Sequence, residues 1–137
     1  MQFKDLGLDN RLLKTLNHYD FRKPTDIQKQ AVPVAIAGKD LLASSKTGSG
    51  KTLAFVLPML HKALKSKAFS AKDPRAVILA PTRELAKQVY GELRSMLAGL
   101  SYEATLILGG ENFNDQVKAL RKYRSLSLQH RDAWLTI

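Results

Sequence analysis

The chain has 137 residues, of which 45% are hydrophobic, so it can bury the core of one folded domain and is not a disordered tail. It has no cysteine, which excludes disulfides and thiolate metal sites, and no run of about 18 apolar residues that would span a membrane. Its 22 Lys and Arg residues against 12 acidic residues give a net charge of +10, which favours either a polyanionic partner or simply a basic surface. Because no secretory signal is recognisable at the N-terminus, we expect a cytoplasmic protein.

The first half of the chain is dominated by helical patterns. Leucines at helical spacing predict a short amphipathic helix over residues 9–18, and Thr25 starts a second helix that runs to about Ala37. The short apolar segment KDLLAS, residues 39–44, predicts a buried strand. KTLAFVLPMLHKALK, residues 51–65, is apolar nearly all round and predicts a helix buried against a sheet.

The second half alternates between strand and helix patterns. RAVILAP (75–81) predicts a second buried strand, a third long helix covers 85–97, and EATLILGG (103–110) predicts a third strand. Phe113, Val117 and Leu120 indicate a last helix, whereas residues 124–137 have little periodicity and are a poor candidate for a strand. This alternation predicts an α/β fold, with a parallel sheet flanked by helices on both faces.

A glycine-rich loop, ASSKTGSGKT, lies between the first predicted strand and the buried helix. It matches the second half of the phosphate-loop pattern G-x-x-x-x-G-K-[ST] and has Ser45 where that pattern has its first glycine. Glycines permit positive φ and close approach of a ligand, Lys51 would reach the β- and γ-phosphates, and Thr52 would offer a hydroxyl to Mg²⁺. The alternative is a polar turn that caps a helix. The candidate phosphate-binding residues are Ser45, Lys46, Thr47, Gly48, Ser49, Gly50, Lys51 and Thr52.

Three further segments accompany this loop: FRKPTDIQ (21–28), PTRELA (81–86) and the glycine pair Gly109-Gly110. Together with SSKTGSGKT they resemble the N-terminal half of a DEAD-box RNA helicase of superfamily 2, from about Phe3 to Tyr123. The resemblance implies an incomplete RecA-like P-loop NTPase domain over residues 1–123, with its glutamine motif in about the first 29 residues. The tail from 124 to 137 is assigned to no domain.

By this resemblance, Gln28 reads the adenine edge and Phe21 stacks near the base, so the cofactors would be ATP and Mg²⁺. Phe3 matches the isolated upstream aromatic residue of the glutamine motif. A side-chain amide offers a donor and an acceptor together, which suits adenine. Thr25-x-x-Gln28 is also a capping box, in which the glutamine bonds back to the start of its own helix. Phe21 read alone is a core residue.

The resemblance also implies that RNA backbone contacts come from Pro81, Thr82, Arg83, Gly109 and Gly110. Arg and Thr side chains and a helix N-terminus can donate hydrogen bonds to phosphate. Read alone, Arg83 could instead pair with Glu84 or cap a loop, and the glycine pair could be a tight turn. RNA is the expected partner, bound without sequence specificity.

The family's Asp-Glu-Ala-Asp motif, its Ser-Ala-Thr motif and its second RecA-like domain are not found in these 137 residues. We therefore expect a truncated or frameshifted product that does not hydrolyse ATP or unwind RNA alone and is marginally stable. His130 and Asp132 do not substitute for the missing groups.

The function implied is that of an ATP-dependent RNA helicase, and the alternative is a non-enzymatic RNA- or partner-binding fragment. The glutamine motif and PTRELA disfavour a different phosphate-loop ATPase or a nucleotide kinase.

Overall fold

The computed structural model describes residues 1–46, 48, 50–65, 76–98, 100, 104–108 and 114, and the backbone of 126–130. The chain divides into two compact units, Met1–Ser66 and Lys67–Ile137. The described part of the first unit is helical, and the second unit contains a parallel sheet with one long helix. No described helix is long and apolar enough to cross a membrane.

The described residues of the first unit form four helical elements. A short 3-10 helix (Phe3–Leu6) precedes α1 (Asn10–His18), α2 (Asp26–Ile36) and α3 (Lys51–Lys65). The three α-helices lie where the sequence predicted them, and α2 and α3 contain the internal prolines Pro33 and Pro58. Helices α1 and α2 each have a side-chain cap at the N-terminus. The cap satisfies backbone amides that no helical carbonyl can reach.

The core of the first unit lies between these helices, chiefly where α2 packs against α3. Its fully buried side chains are almost all aliphatic, as expected where apolar faces of helices meet. They include Leu12, Leu16, Val32, Val56, Leu57 and Leu60. The apolar character of α3 is therefore explained by burial along most of its length.

The strand predicted at residues 39–44 is not formed. These residues belong to no helix and to none of the described strands, and Leu41 and Leu42 are exposed. An apolar segment becomes a strand only when another strand supplies hydrogen-bond partners, and none of the three described strands pairs with this segment. The prediction of a buried strand at residues 39–44, made from its apolar residues, was therefore wrong.

The second unit contains β1 (Ala76–Ala80), α4 (Arg83–Leu97), β2 (Ala104–Ile107) and β3 (Leu126–His130). The sheet has the order β1-β3-β2, and both pairs of neighbouring strands are parallel. Helix α4 packs against all three strands. The predicted α/β class with a parallel sheet is confirmed, and α4 is the helix that the described residues place on that sheet.

Two details of this sheet correct the sequence-based expectations. The tail after Tyr123 was a poor candidate for a strand, yet residues 126–130 form the central one, because pairing on both edges compensates for weak local patterning. β1 is buried on one face only, since Val77 is 52% exposed and Leu79 is 63% exposed while Ile78 and Ala80 are buried. The helix predicted from Phe113, Val117 and Leu120 lies outside the described residues.

An ionic and hydrogen-bonded anchor joins the start of α1 to the end of α3. The buried Asp9 carboxylate accepts hydrogen bonds from the backbone N–H and the guanidinium of Arg11, and it lies 3.4 Å from the Lys65 ammonium. The Asp9 backbone N–H donates to His61 Nδ1 at 3.0 Å. The Arg11 hydrogen bonds hold the pKa of Asp9 far below its usual range, so this carboxylate stays ionised at any mildly acidic pH.

We expect the free energy of unfolding to fall as the pH is lowered from about 7.5 to 5, and His61→Gln to remove much of that fall. Burial, and then the Lys65 charge, lower the pKa of His61 from 6.5. The unfolded chain therefore binds the proton more readily, so stability present above pH 6.5 is lost progressively below that value. Urea denaturation across this pH range measures the effect. The same fall in stability in the wild type and in His61→Gln would contradict this account.

Candidate nucleotide and nucleic-acid sites

The glycine loop of the first unit has the backbone conformation that its sequence predicted. Gly48 and Gly50 have φ values of 80° and 86°, in the left-handed region that favours glycine. Helix α3 begins directly after Gly50, so Lys51 and Thr52 occupy its first turn. Thr47 and Ser49 lie outside the described residues. The arrangement presents a helix N-terminus, a lysine and a hydroxyl at one place, which suits an anion.

The Gln28 side chain contacts the end of this loop. Its Nε2 donates to the Gly50 carbonyl at 3.0 Å, and the same carbonyl accepts from the Ala54 N–H at 3.3 Å in the first turn of α3. Its Oε1 accepts from the Thr25 N–H at 3.0 Å, which completes a capping box at the start of α2. Gln28 is only 3% exposed. The capping reading of this residue is confirmed, and the contact to Gly50 is an additional role that the sequence did not reveal.

Gly50 is held so closely that it has no room for a side chain. A Cβ atom placed on it would lie 2.5 Å from Gln28 Nε2 and 2.9 Å from Thr25 Oγ1. By contrast, a Cβ atom on Gly48 would have no neighbour within 4 Å. The glycine at position 50 is therefore required both by its φ and by contact with the start of α2.

The two aromatic residues of the glutamine motif have different environments. Phe3 is 5% exposed and belongs to the core of the first unit, whereas Phe21 is 46% exposed. The Phe21 N–H donates to the Leu16 carbonyl at 2.9 Å, which attaches this part of the loop to the end of α1. Phe21 is therefore not a core residue, as a phenylalanine considered alone would be expected to be, and its ring is accessible to a ligand.

Three of the predicted RNA-contacting residues lie at the start of α4. Thr82 is the N-cap of this helix, and its Oγ1 accepts from the Leu85 N–H at 3.1 Å. Pro81 precedes it and is exposed, and Arg83 is the first helical residue. The glycine pair Gly109-Gly110 lies outside the described residues. The structure thus brings Pro81, Thr82 and Arg83 together at one helix N-terminus.

The residues of the glycine loop fit a nucleoside triphosphate with its magnesium ion. Left-handed glycines let backbone amides face a phosphate, Lys51 supplies positive charge, and the Thr52 hydroxyl is the hard oxygen ligand that Mg²⁺ prefers. In the described ranges, no group of three or more His, Cys, Asp or Glu residues could hold a metal ion.

Comparison with known proteins identifies the family. The family model for DEAD/DEAH box helicases matches residues 25–135. The chain is 40% identical over 136 residues to the "ATP-dependent RNA helicase DBP4" of Vanderwaltozyma polyspora, covering 95% of this chain and 18% of that protein. It is 41% identical over 122 residues to the "ATP-dependent RNA helicase RhlB" of Aliivibrio salmonicida, covering 87% of this chain and 28% of that protein.

Solved structures give the same result. The RNA helicase Prp28 from Chaetomium thermophilum bound to ADP superposes with a TM-score of 0.82 at 36% identity, covering 93% of this chain and 31% of Prp28. A DEAD box protein from Methanococcus jannaschii gives a TM-score of 0.82 at 31% identity, covering 95% of this chain and 34% of that one. The chain thus spans about a third or less of these relatives. The fold is that of part of a DEAD-box RecA-like domain. The chain belongs to the DEAD/DEAH box helicase family.

Proposed function

We propose that the chain is the ATP- and RNA-binding part of an ATP-dependent RNA helicase. The observation that carries this proposal is the loop geometry: two left-handed glycines lead directly into the Lys51-Thr52 start of a 15-residue helix. Amides and a helix dipole at such a turn favour phosphate. The relatives DBP4 and RhlB are called ATP-dependent RNA helicases, and the Prp28 structure contains ADP.

In this proposal Lys51 holds the β- and γ-phosphates, and Thr52 contributes a hydroxyl ligand to the magnesium ion. The ion, when bound with ATP, neutralises phosphate charge. Gln28 selects adenine through its second N–H donor and the second lone pair of its oxygen. Its hydrogen bonds to Thr25 and Gly50 use only one of each. The exposed Phe21 ring stacks near the base.

The second unit binds RNA by contacting the sugar-phosphate backbone of the RNA. Thr82 and Arg83 at the start of α4 donate hydrogen bonds to phosphate oxygens, and Pro81, Gly109 and Gly110 shape the adjoining loops. Such contacts carry no sequence information, so binding is non-specific. We also propose that the chain by itself binds ATP without turnover, because its 137 residues contain no Asp-Glu-Ala-Asp sequence to hold the metal ion and orient water.

Lys51→Ala should weaken the binding of ATP by about 10- to 150-fold, because a charge-assisted hydrogen bond contributes about 1.5–3 kcal/mol. The measurement is titration calorimetry with ATP and Mg²⁺. Alanine is a good helix former, so α3 is retained. Lys62→Ala, at an exposed lysine in the same helix, is the control and should bind ATP as the wild type does. Equal affinity of the two variants would remove the basis of the loop assignment.

A further inference from the structure

Helix α1 ends in a turn that has an aspartate at the position where such turns usually have a glycine. The Asp20 N–H donates to the Asn17 carbonyl at 3.1 Å. The next N–H, of Phe21, donates to the Leu16 carbonyl at 2.9 Å. With Tyr19 as the C-cap, these two bonds have the pattern of a Schellman motif, in which the residue after the cap is left-handed. Asp20 has a φ of 60° and is the one non-glycine residue with a positive φ in the described ranges, so the turn depends on a conformation that most side chains disfavour.

The side chain of Asp20 lies outside the core. It is 74% exposed, and its Oδ1 accepts a hydrogen bond at 2.7 Å from Nε of the equally exposed Arg22. An ion pair this exposed contributes little to stability. Aspartate and asparagine adopt the left-handed region more readily than other non-glycine residues, because their short polar side chains can form local hydrogen bonds. The contribution of Asp20 to the turn is therefore chiefly its backbone conformation.

The conformation of Asp20 fixes the course of the chain at Phe21. Because the chain reverses at Asp20, the Phe21 N–H can bond back to the Leu16 carbonyl in the last turn of α1. The Phe21 ring nevertheless keeps 46% of its surface exposed. Four residues later, Thr25 caps α2 at the helix end that contacts Gly50 of the glycine loop. Four residues of chain span at most about 14 Å, so Phe21 combines an anchored backbone with an accessible ring near that contact.

We propose that Asp20 is a positioning residue for recognition of the base, because its left-handed conformation holds the Phe21 ring where it stacks near the base of the nucleotide. This inference rests on the proposed function, which gives Phe21 that stacking role. If the turn forms in only a fraction of the molecules, the apparent affinity falls by that fraction. An ordinary residue is about 5- to 30-fold less favourable in the left-handed conformation. The residue type at position 20 therefore controls the part of the ATP affinity that Phe21 supplies.

The experiment compares Asp20→Asn with Asp20→Val in the full chain, by titration calorimetry with ATP and Mg²⁺. Both variants remove the same charge, but asparagine tolerates the left-handed region and the β-branched valine does not. Asp20→Asn should bind ATP as the wild type does, and Asp20→Val should bind it about fivefold more weakly or worse. If circular dichroism shows that Asp20→Val has lost helix, Asp20→Ala, which lacks the branched side chain, takes its place.

The same substitution in a chain without the Phe21 ring tests whether Asp20 acts through that ring. Phe21→Ala alone should weaken ATP binding by about 5- to 150-fold, the range for stacking of one base on an aromatic side chain. Adding Asp20→Val to Phe21→Ala should then cause no further loss, because no ring remains to be positioned. A residue that only supported the fold would weaken binding equally in both backgrounds.

The outcomes separate this inference from the function on which it rests. If the unmodified chain does not bind ATP, or if Phe21→Ala binds it as tightly as the wild type, the proposed role of Phe21 fails and the positioning role fails with it. If Phe21→Ala weakens binding but Asp20→Val and Asp20→Asn have the same affinity, only the positioning role is overturned. An equal loss from Asp20→Val with and without the Phe21 ring would also overturn it.

Discussion

Gly50→Ala is expected to destabilise the first unit by about 2–5 kcal/mol and to weaken ATP binding more than tenfold. A left-handed conformation costs a non-glycine residue about 1–2 kcal/mol. The added Cβ would also lie 2.5 Å from Gln28 Nε2, so the glutamine must move. Its buried amide then loses the Gly50 carbonyl, which costs about a further 1–3 kcal/mol. Urea denaturation measures the stability, and calorimetry measures the affinity for ATP.

Two other glycines provide the controls for Gly50→Ala. Gly7 and Gly48 have φ values of 84° and 80°, and a Cβ atom on either would meet nothing within 4 Å. Gly7→Ala and Gly48→Ala should therefore show only the conformational cost of about 1–2 kcal/mol. The same loss of stability in all three variants would show that contact with Gln28 does not constrain the loop.

Gln28→Glu is expected to cost about 3 kcal/mol or more at neutral pH. The substitution keeps an oxygen that can accept from the Thr25 N–H, but it replaces the donor Nε2 with a second oxygen facing the Gly50 carbonyl. A carboxylate that is 97% buried and next to a carbonyl oxygen is strongly unfavourable. Denaturation at pH 7.5 compares this variant with the wild type.

The pH dependence of Gln28→Glu distinguishes this mechanism from simple disruption. Burial would raise the pKa of the introduced carboxyl group, and the protonated acid can donate to the Gly50 carbonyl. Relative to wild type, stability should therefore recover as the pH falls toward 5. Gln30→Glu makes the same chemical change at an exposed position of α2 and should have little effect at either pH. A deficit in Gln28→Glu that does not change with pH would contradict this account.

The four described α-helices could be predicted from sequence, whereas the short 3-10 helix was not, and two of the three described strands could also be placed. Helix hydrogen bonds join residues four apart, so the spacing of apolar residues carries the information, and α3 was predicted at Lys51–Lys65. Strands depend on partners elsewhere in the chain. The apolar segment 39–44 has no partner among the described strands, whereas the less apolar β3 has two.

The candidate nucleotide site shows the same division. The phosphate loop and the capping box are local patterns, and both were predicted. The bond between Gln28 and Gly50 joins residues 22 positions apart, and no periodicity or spacing indicates it. The only sign of this bond in the sequence is the glycine at position 50, and a phosphate loop already explains a glycine there. That Gly50 is also required by its contact with Gln28 could be learned only from the structure.

The position of β3 also has a consequence for biosynthesis. This strand is the last of the three to be translated, yet it is the one that bonds to both others, and β1 and β2 do not pair with each other. While a ribosome is still extending the nascent polypeptide, Ala76–Ala80 and Ala104–Ile107 have emerged without the strand that joins them. The helical first unit can fold during translation, but the sheet must wait for residues 126–130, leaving β1 and β2 open to aggregation or chaperone capture in the interval.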